Sequence, residues 1–186
     1  MSVDEMFLNG EEKMEKAISN LKKEFASIRS GRANPLILDK VFVDYYGTPT
    51  PIRQVAQVTV QEGTTLAISP FDKSIIKEIE KAITKAELGV APNNDGSTIR
   101  LNFPPLTEEK RKEITKDVKK IGEDAKIVVR NARRDMADEL KKLEKSDNLA
   151  EDVVKDNHDE IQKLTDKYIK NVDDLIADKE KEVLTV

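Results

Sequence analysis

Apolar residues recur at helical spacing in three long stretches of the chain and alternate in a shorter region between the first two. In the first stretch Met14, Ile18, Leu21, Phe25 and Ile28 follow at steps of 4, 3, 4 and 3, a narrow coiled-coil-like seam. Ser30-Gly31 breaks the period and Pro35 follows. The second stretch begins after Pro104-Pro105, where Thr107-Glu108-Glu109 reads as an N-cap and an acidic first turn. Its seam runs Ile114, Val118, Ile121, Ala125, Val128, Ala132, Met136, Leu140 and Leu143. That predicts a helix of about 38 residues, roughly 57 Å long. Gly122 lowers helix propensity inside it and is expected to mark a local bend. After Ser146-Asp147-Asn148 a third seam follows through Val154, Ile161, Leu164, Tyr168, Val172, Leu175 and Val183. None of the three is apolar all round, so each must bury its seam against the others. The short connection makes the last two antiparallel neighbours, and the first must return to complete a three-helix bundle.

The middle region has another period. Val41-Phe-Val-Asp-Tyr-Tyr-Gly-Thr-Pro49 reads as a strand entering a turn, and Val55–Val60 and Thr65–Ile68 read as strands around Glu62-Gly63. A short helix follows Phe71-Asp72 with Ile75, Ile76, Ile79 and Ile83 inward, and Thr98–Phe103 is the last strand. Asn93-Asn94-Asp95-Gly96 is expected to be a tight turn, since it lacks the later glutamate of a calcium loop. Six of the seven prolines lie from Pro35 to Pro104, as turn-rich β sequence requires. The fold class is therefore α+β. The bundle takes residues 1–30 and 106–186, and a small β/α/β domain, 31–105, is inserted into it. The two connections, Ser30, Gly31, Arg32, Ala33 and Asn34 on one side and Pro104, Pro105 and Leu106 on the other, are expected to lie side by side as a hinge stiffened by the proline pair.

Composition narrows the chemistry. A charged fraction of 37% against 4% aromatic suits long helices with wide solvated faces. With no cysteine, thiolate metal sites and cysteine nucleophiles are excluded. The single histidine, His158, falls on the seam of the third helix and is expected to pack there. No serine has a histidine base in a motif, and Gly96-Ser97-Thr98 lacks the glycines and lysine of a phosphate loop. No catalysis, cofactor or metal is expected. The start of the sequence lacks the basic and apolar regions of a secretory signal, and no apolar run approaches a membrane span. The expectation is a soluble cytosolic monomer with no membrane partner.

One stretch stands against the net charge of -4. From Lys126 through Arg130 and Arg133 to Arg134 the sequence supplies four cations and no acid. Lys126, Arg130 and Arg134 at i, i+4 and i+8 share one helix face, with Arg133 beside them. Guanidinium groups so placed can grip phosphates bidentately. An isoelectric point near 5.3 argues against a protein that coats DNA with its whole surface, but leaves room for a local basic face. Structured nucleic acid backbone is the expected target, with an acidic protein docked by a helical adaptor as the alternative.

Four motifs in order, Phe25-Ala-Ser-Ile-Arg29-Ser-Gly31-Arg32-Ala33, Val43-Asp-Tyr-Tyr-Gly47, Pro104-Pro105-Leu-Thr-Glu-Glu109 and Val129-Arg-Asn-Ala-Arg-Arg-Asp135, together resemble the bacterial ribosome recycling factor family. The resemblance runs from end to end without a large insertion. It implies an L-shaped protein of two domains, a three-helix bundle and a mobile β/α/β domain. It implies binding to the post-termination ribosome and, with elongation factor G and that partner's GTP hydrolysis, splitting into subunits with release of messenger and deacylated transfer RNA. It further implies contact with large-subunit ribosomal RNA through Arg133 and Arg130, then Arg29 and Arg32.

Overall fold

Ser2 and Glu5 close a reciprocal capping box at the start of the first helix: the Ser2 amide donates to Glu5 Oε2 at 2.7 Å, and the Glu5 amide donates to Ser2 Oγ at 3.1 Å. From there α1 runs Val3–Ala26 in the computed structural model, which describes residues 1–184. The seam is longer than the sequence pattern indicates, with Met6 and Gly10 preceding Met14. After a 3-10 turn, Pro35–Lys40, come β1 (Phe42–Tyr45), β2 (Thr48–Pro51), a one-turn helix α2 (Ile52–Val55), β3 (Ala56–Gln61) and β4 (Thr65–Pro70). A second 3-10 turn, Lys73–Ile75, leads into α3 (Ile76–Lys85), followed by β5 (Pro92–Asn94), β6 (Ile99–Asn102), α4 (Glu108–Ser146) and α5 (Glu151–Leu184). Thr107 caps α4 by accepting from the Lys110 amide at 3.1 Å.

The chain divides into two compact units, one of Met1–Phe25 with Thr115–Glu182, the other of Ala26–Ile114 with Val183 and Leu184. The helical unit is an antiparallel three-helix bundle. Lys119 pairs with Glu180 and Lys126 with Asp173, a descending register that sets α5 antiparallel to α4. Gly10 against Met136 and Lys13 paired with Asp135 descend in the same way, which sets α1 antiparallel to α4. The Tyr168 hydroxyl reaches Glu11 and Glu15 of α1 at 3.2 and 3.3 Å. Burial and these two carboxylates push the phenol pKa up from its ordinary value.

Two glycines set helix separation. A Cβ on Gly10 would lie 2.1 Å from Met136 Sδ, and one on Gly122 would lie 2.3 Å from Ile176 Cδ1. Gly122 is thus a close-approach position rather than only a weak spot in α4. The buried row of α4 passes through Val129 where the sequence seam has Val128, which is 48% exposed. His158 is exposed, and the half-buried Asn157 takes its expected place.

In the other unit β1 and β2 form a hairpin and the remaining strands an antiparallel sheet of order β3-β4-β6-β5. Tyr46 and Gly47, both at positive φ, make the two-residue hairpin turn that follows the strand twist. Ile79 and Ile83 of α3 pack with Val43, Leu66, Ile68, Ile99 and Leu101 into the core. The strand β5 has no alternating apolar signal; it forms the sheet edge, where Pro92 forfeits no ladder bond the sheet needs. Asp95 closes the following turn by accepting from the Ser97 and Thr98 amides and pairing with Arg100. Those donors hold its carboxyl far below the ordinary aspartate value.

Candidate nucleic-acid interface

Helix α4 presents the basic stretch. Val129, Ala132 and Met136 turn inward, which carries Arg130 and Arg134 to the exposed side and leaves Arg133 half-buried at its margin. Arg134 Nη1 lies 3.5 Å from Asn131 Oδ1. Arg130 and Arg133 make no hydrogen bond or ion pair among the described residues. The nearest following acid, Asp135, is tied to Lys13 at 3.0 Å. Two guanidinium groups without internal partners and a third held by one neutral side chain leave their forked donors available to phosphate oxygens. Ile127 and Val128, about half exposed, sit beside them.

Lys126 behaves differently from its expected place in this row. Its side chain is only 12% exposed and pairs with Asp173 at 2.5 Å and Glu123 at 3.2 Å. The Asp173 hydrogen bond raises its pKa, burial opposes that, and Glu123 adds to the rise. One of these acids, Glu123, is a neighbour in sequence and the other, Asp173, arrives from α5, so the row loses its first member to the bundle.

Arg29 is also engaged within its own unit. It donates from Nη2 to the Pro104 carbonyl and lies over the Phe103 ring with its guanidinium carbon 5.5 Å from the centroid. Its Nε is buried without a partner, and desolvation lowers the guanidinium pKa. Such a cation–π contact contributes about 0.5–1 kcal/mol. Arg32 is exposed and unpaired among the described residues.

The connections themselves are closely tied. The Ala33 amide donates to the Gly63 carbonyl at 2.9 Å and the Phe103 amide to the Thr64 carbonyl at 2.8 Å, so both segments meet the turn between β3 and β4. Asn34 caps the first 3-10 turn through Oδ1 and donates from Nδ2 to the Ala26 carbonyl at 3.2 Å. Gly31 has φ +88, and Ser30 is buried. Pro104, Pro105 and Leu106 are in no regular element. A further row of cations starts at Lys73 in the turn before α3 and continues through Lys77, Lys81 and Lys85 on its polar side; its four-residue spacing is readable in the sequence beside the isoleucines that define the helix.

The ribosome recycling factor family model matches residues 21–184. The ribosome-recycling factor of Caldicellulosiruptor bescii is 58% identical over 176 residues, 95% of this chain and 96% of that protein. That of Geobacillus sp. is 54% identical over 184 residues, 99% and 100% of the two chains. Among solved structures, a solution structure of ribosome recycling factor superposes with a TM-score of 0.82 at 36% identity, covering 100% of this chain and 99% of that one. A second, giving models for the T. thermophilus ribosome recycling factor and the E. coli elongation factor G bound to the E. coli post-termination complex, has a TM-score of 0.69 at 40% identity over the full length of both chains. With near-complete coverage in sequence and fold alike, this chain belongs to the ribosome recycling factor family.

Proposed function

We propose that this chain recycles ribosomes after translation termination, binding the post-termination ribosome and acting with elongation factor G to separate the subunits. The observation that carries this is end-to-end similarity to ribosome-recycling factors at more than half identity, joined to the same two-unit fold. A relative bound with elongation factor G on the post-termination complex supports the choice of partner. Arg133 and Arg130, without partners among the described residues, are the anchors on large-subunit ribosomal RNA, with Arg134 beside them and Arg32 as a further contact. Lys126 braces the bundle and Arg29 braces the connections, so their contribution to binding is indirect.

The chain works as a lever and not as a catalyst, with GTP hydrolysis left to the partner, and it does so as a monomer in the cytoplasm. Among the described residues no helix is long and apolar enough to cross a membrane. Movement would concentrate where neither connection has regular structure, at Ser27–Asn34 and Phe103–Leu106, since bending within α4 would break its ladder of hydrogen bonds. The test is subunit splitting with purified post-termination ribosomes, elongation factor G and GTP, each component omitted in turn. Splitting should require all of them; splitting of equal extent without this chain refutes the reading.

A further inference from the structure

The polar side of α3 carries a charged surface separate from the arginines of α4. Ile76, Ile79 and Ile83 turn to the core, which places Lys81 on the opposite side of the helix with Lys77 and Lys85 flanking it. Four-residue steps advance about 6 Å along the axis and drift only about 40° around it, so the three stay on one face. Lys73, in the turn before the helix, extends the row, and all four are exposed. Lys81 pairs with Glu78 at 3.6 Å, while Lys73, Lys77 and Lys85 have no carboxylate partner among the described residues. Between this face and the edge strand β5 runs an open trough of about 540 Å³, lined by Lys77, Glu80, Lys81, Thr84, Lys85 and Asn94. Its one carboxylate, Glu80, accepts from Asn94 Nδ2 at 3.0 Å and is held against the strand.

We propose that this lysine row and its trough bind the phosphate backbone of RNA, giving the chain a further RNA contact on its α/β unit, independent of the arginines on α4. The proposal rests on the ribosome-binding function above. Lysine ammonium groups are compact point charges that serve phosphate without the fixed fork of arginine, and an evenly spaced row of them follows a repeating charge. A protein partner would be anchored at the centre of its contact by apolar or aromatic side chains. None of the six residues lining the trough is apolar. In a chain of net charge -4, this attraction is local to one helix face and not a property of the whole surface.

Ribosome affinity measured across a series of KCl concentrations tests it, using the full-length chain and the triple variant Lys77→Ala, Lys81→Ala, Lys85→Ala. Each phosphate contact contributes about 0.7–0.9 to the slope of log affinity against log salt, so the variant should lose about 2 from that slope and roughly ten-fold in affinity at low salt. The triple Lys→Arg variant should keep both. A wild-type chain that binds ribosomes together with an alanine variant of unchanged affinity and slope overturns the row alone. A wild-type chain that fails to bind overturns the ribosome reading and the row with it. A photo-reactive residue in place of Thr84, which lines the trough and leaves every lysine intact, should crosslink to ribosomal RNA; crosslinks to ribosomal protein alone overturn the assignment to RNA.

Discussion

At the scale of single residues, exposure and prior engagement separate cations that look alike in sequence. Among the described residues the forks of Arg133 and Arg130 have no partner, whereas Lys126 and Arg29 are held by internal partners. Arg133→Ala should weaken ribosome binding by about 1.5–3 kcal/mol, roughly ten-fold or more, with its melting temperature unchanged. Affinity equal to wild type at physiological salt would remove Arg133 from the interface. Lys126→Ala should instead destabilise the bundle by about 1 kcal/mol, because Asp173 stays half exposed and rehydrates when its partner is lost. In a chain of this length that lowers the melting temperature by about 2–4 °C. The Lys126 pKa is raised on folding, so its contribution is full below the unfolded value near 10.4 and is lost as pH rises through the folded value. Tyr168, also raised, acts in the same direction, since the folded state holds its proton more tightly. The wild-type advantage over Lys126→Ala should therefore shrink in melts taken above roughly pH 10; an advantage that grows with alkalinity contradicts the pairing.

At the scale of elements, the long helices depend on small residues where they come closest. Alanine at Gly122 gains about 1 kcal/mol of helix propensity but meets the branched Ile176, and overpacking of that kind costs about 1–3 kcal/mol. Gly10→Ala meets the flexible end of Met136, which can turn aside. Thermal melts should rank Gly122→Ala below both Gly10→Ala and wild type. A Gly122→Ala protein more stable than wild type would show that α4 and α5 can separate freely there. Packing between the helices also fixes the seam. Val128 and Val129 both fit steps of three and four between Ala125 and Ala132, so spacing cannot choose, whereas the packed bundle buries Val129 and exposes Val128. Between Val154 and Ile161 the choice of Asn157 or His158 is open in the same way.

At the scale of the whole molecule, the lever reading makes the connections matter more than any one contact. The chain has no cysteine, so one cysteine introduced into each unit can form a single reversible disulfide. Locked in this way, the protein should bind ribosomes nearly as well as wild type yet fail to split them with elongation factor G and GTP. Adding reductant should restore splitting. Full splitting by the oxidised form would mean that movement between the units is dispensable.

Local signals along the chain suffice for the three amphipathic helices, the inserted β-containing region and the presence of an arginine cluster. Helix and strand periods, caps such as Thr107 and turn residues such as Gly47 are local signals that need no distant partner. The tertiary structure alone decided which cations stay available and which are consumed. Asp173 reaches Lys126, and the Pro104 carbonyl reaches Arg29, only after distant segments have packed together. The edge strand β5 likewise exists because β6 offers it a ladder, although its own residues carry no strand pattern. Charge along a helix can be read from spacing, but its freedom depends on what the fold brings opposite.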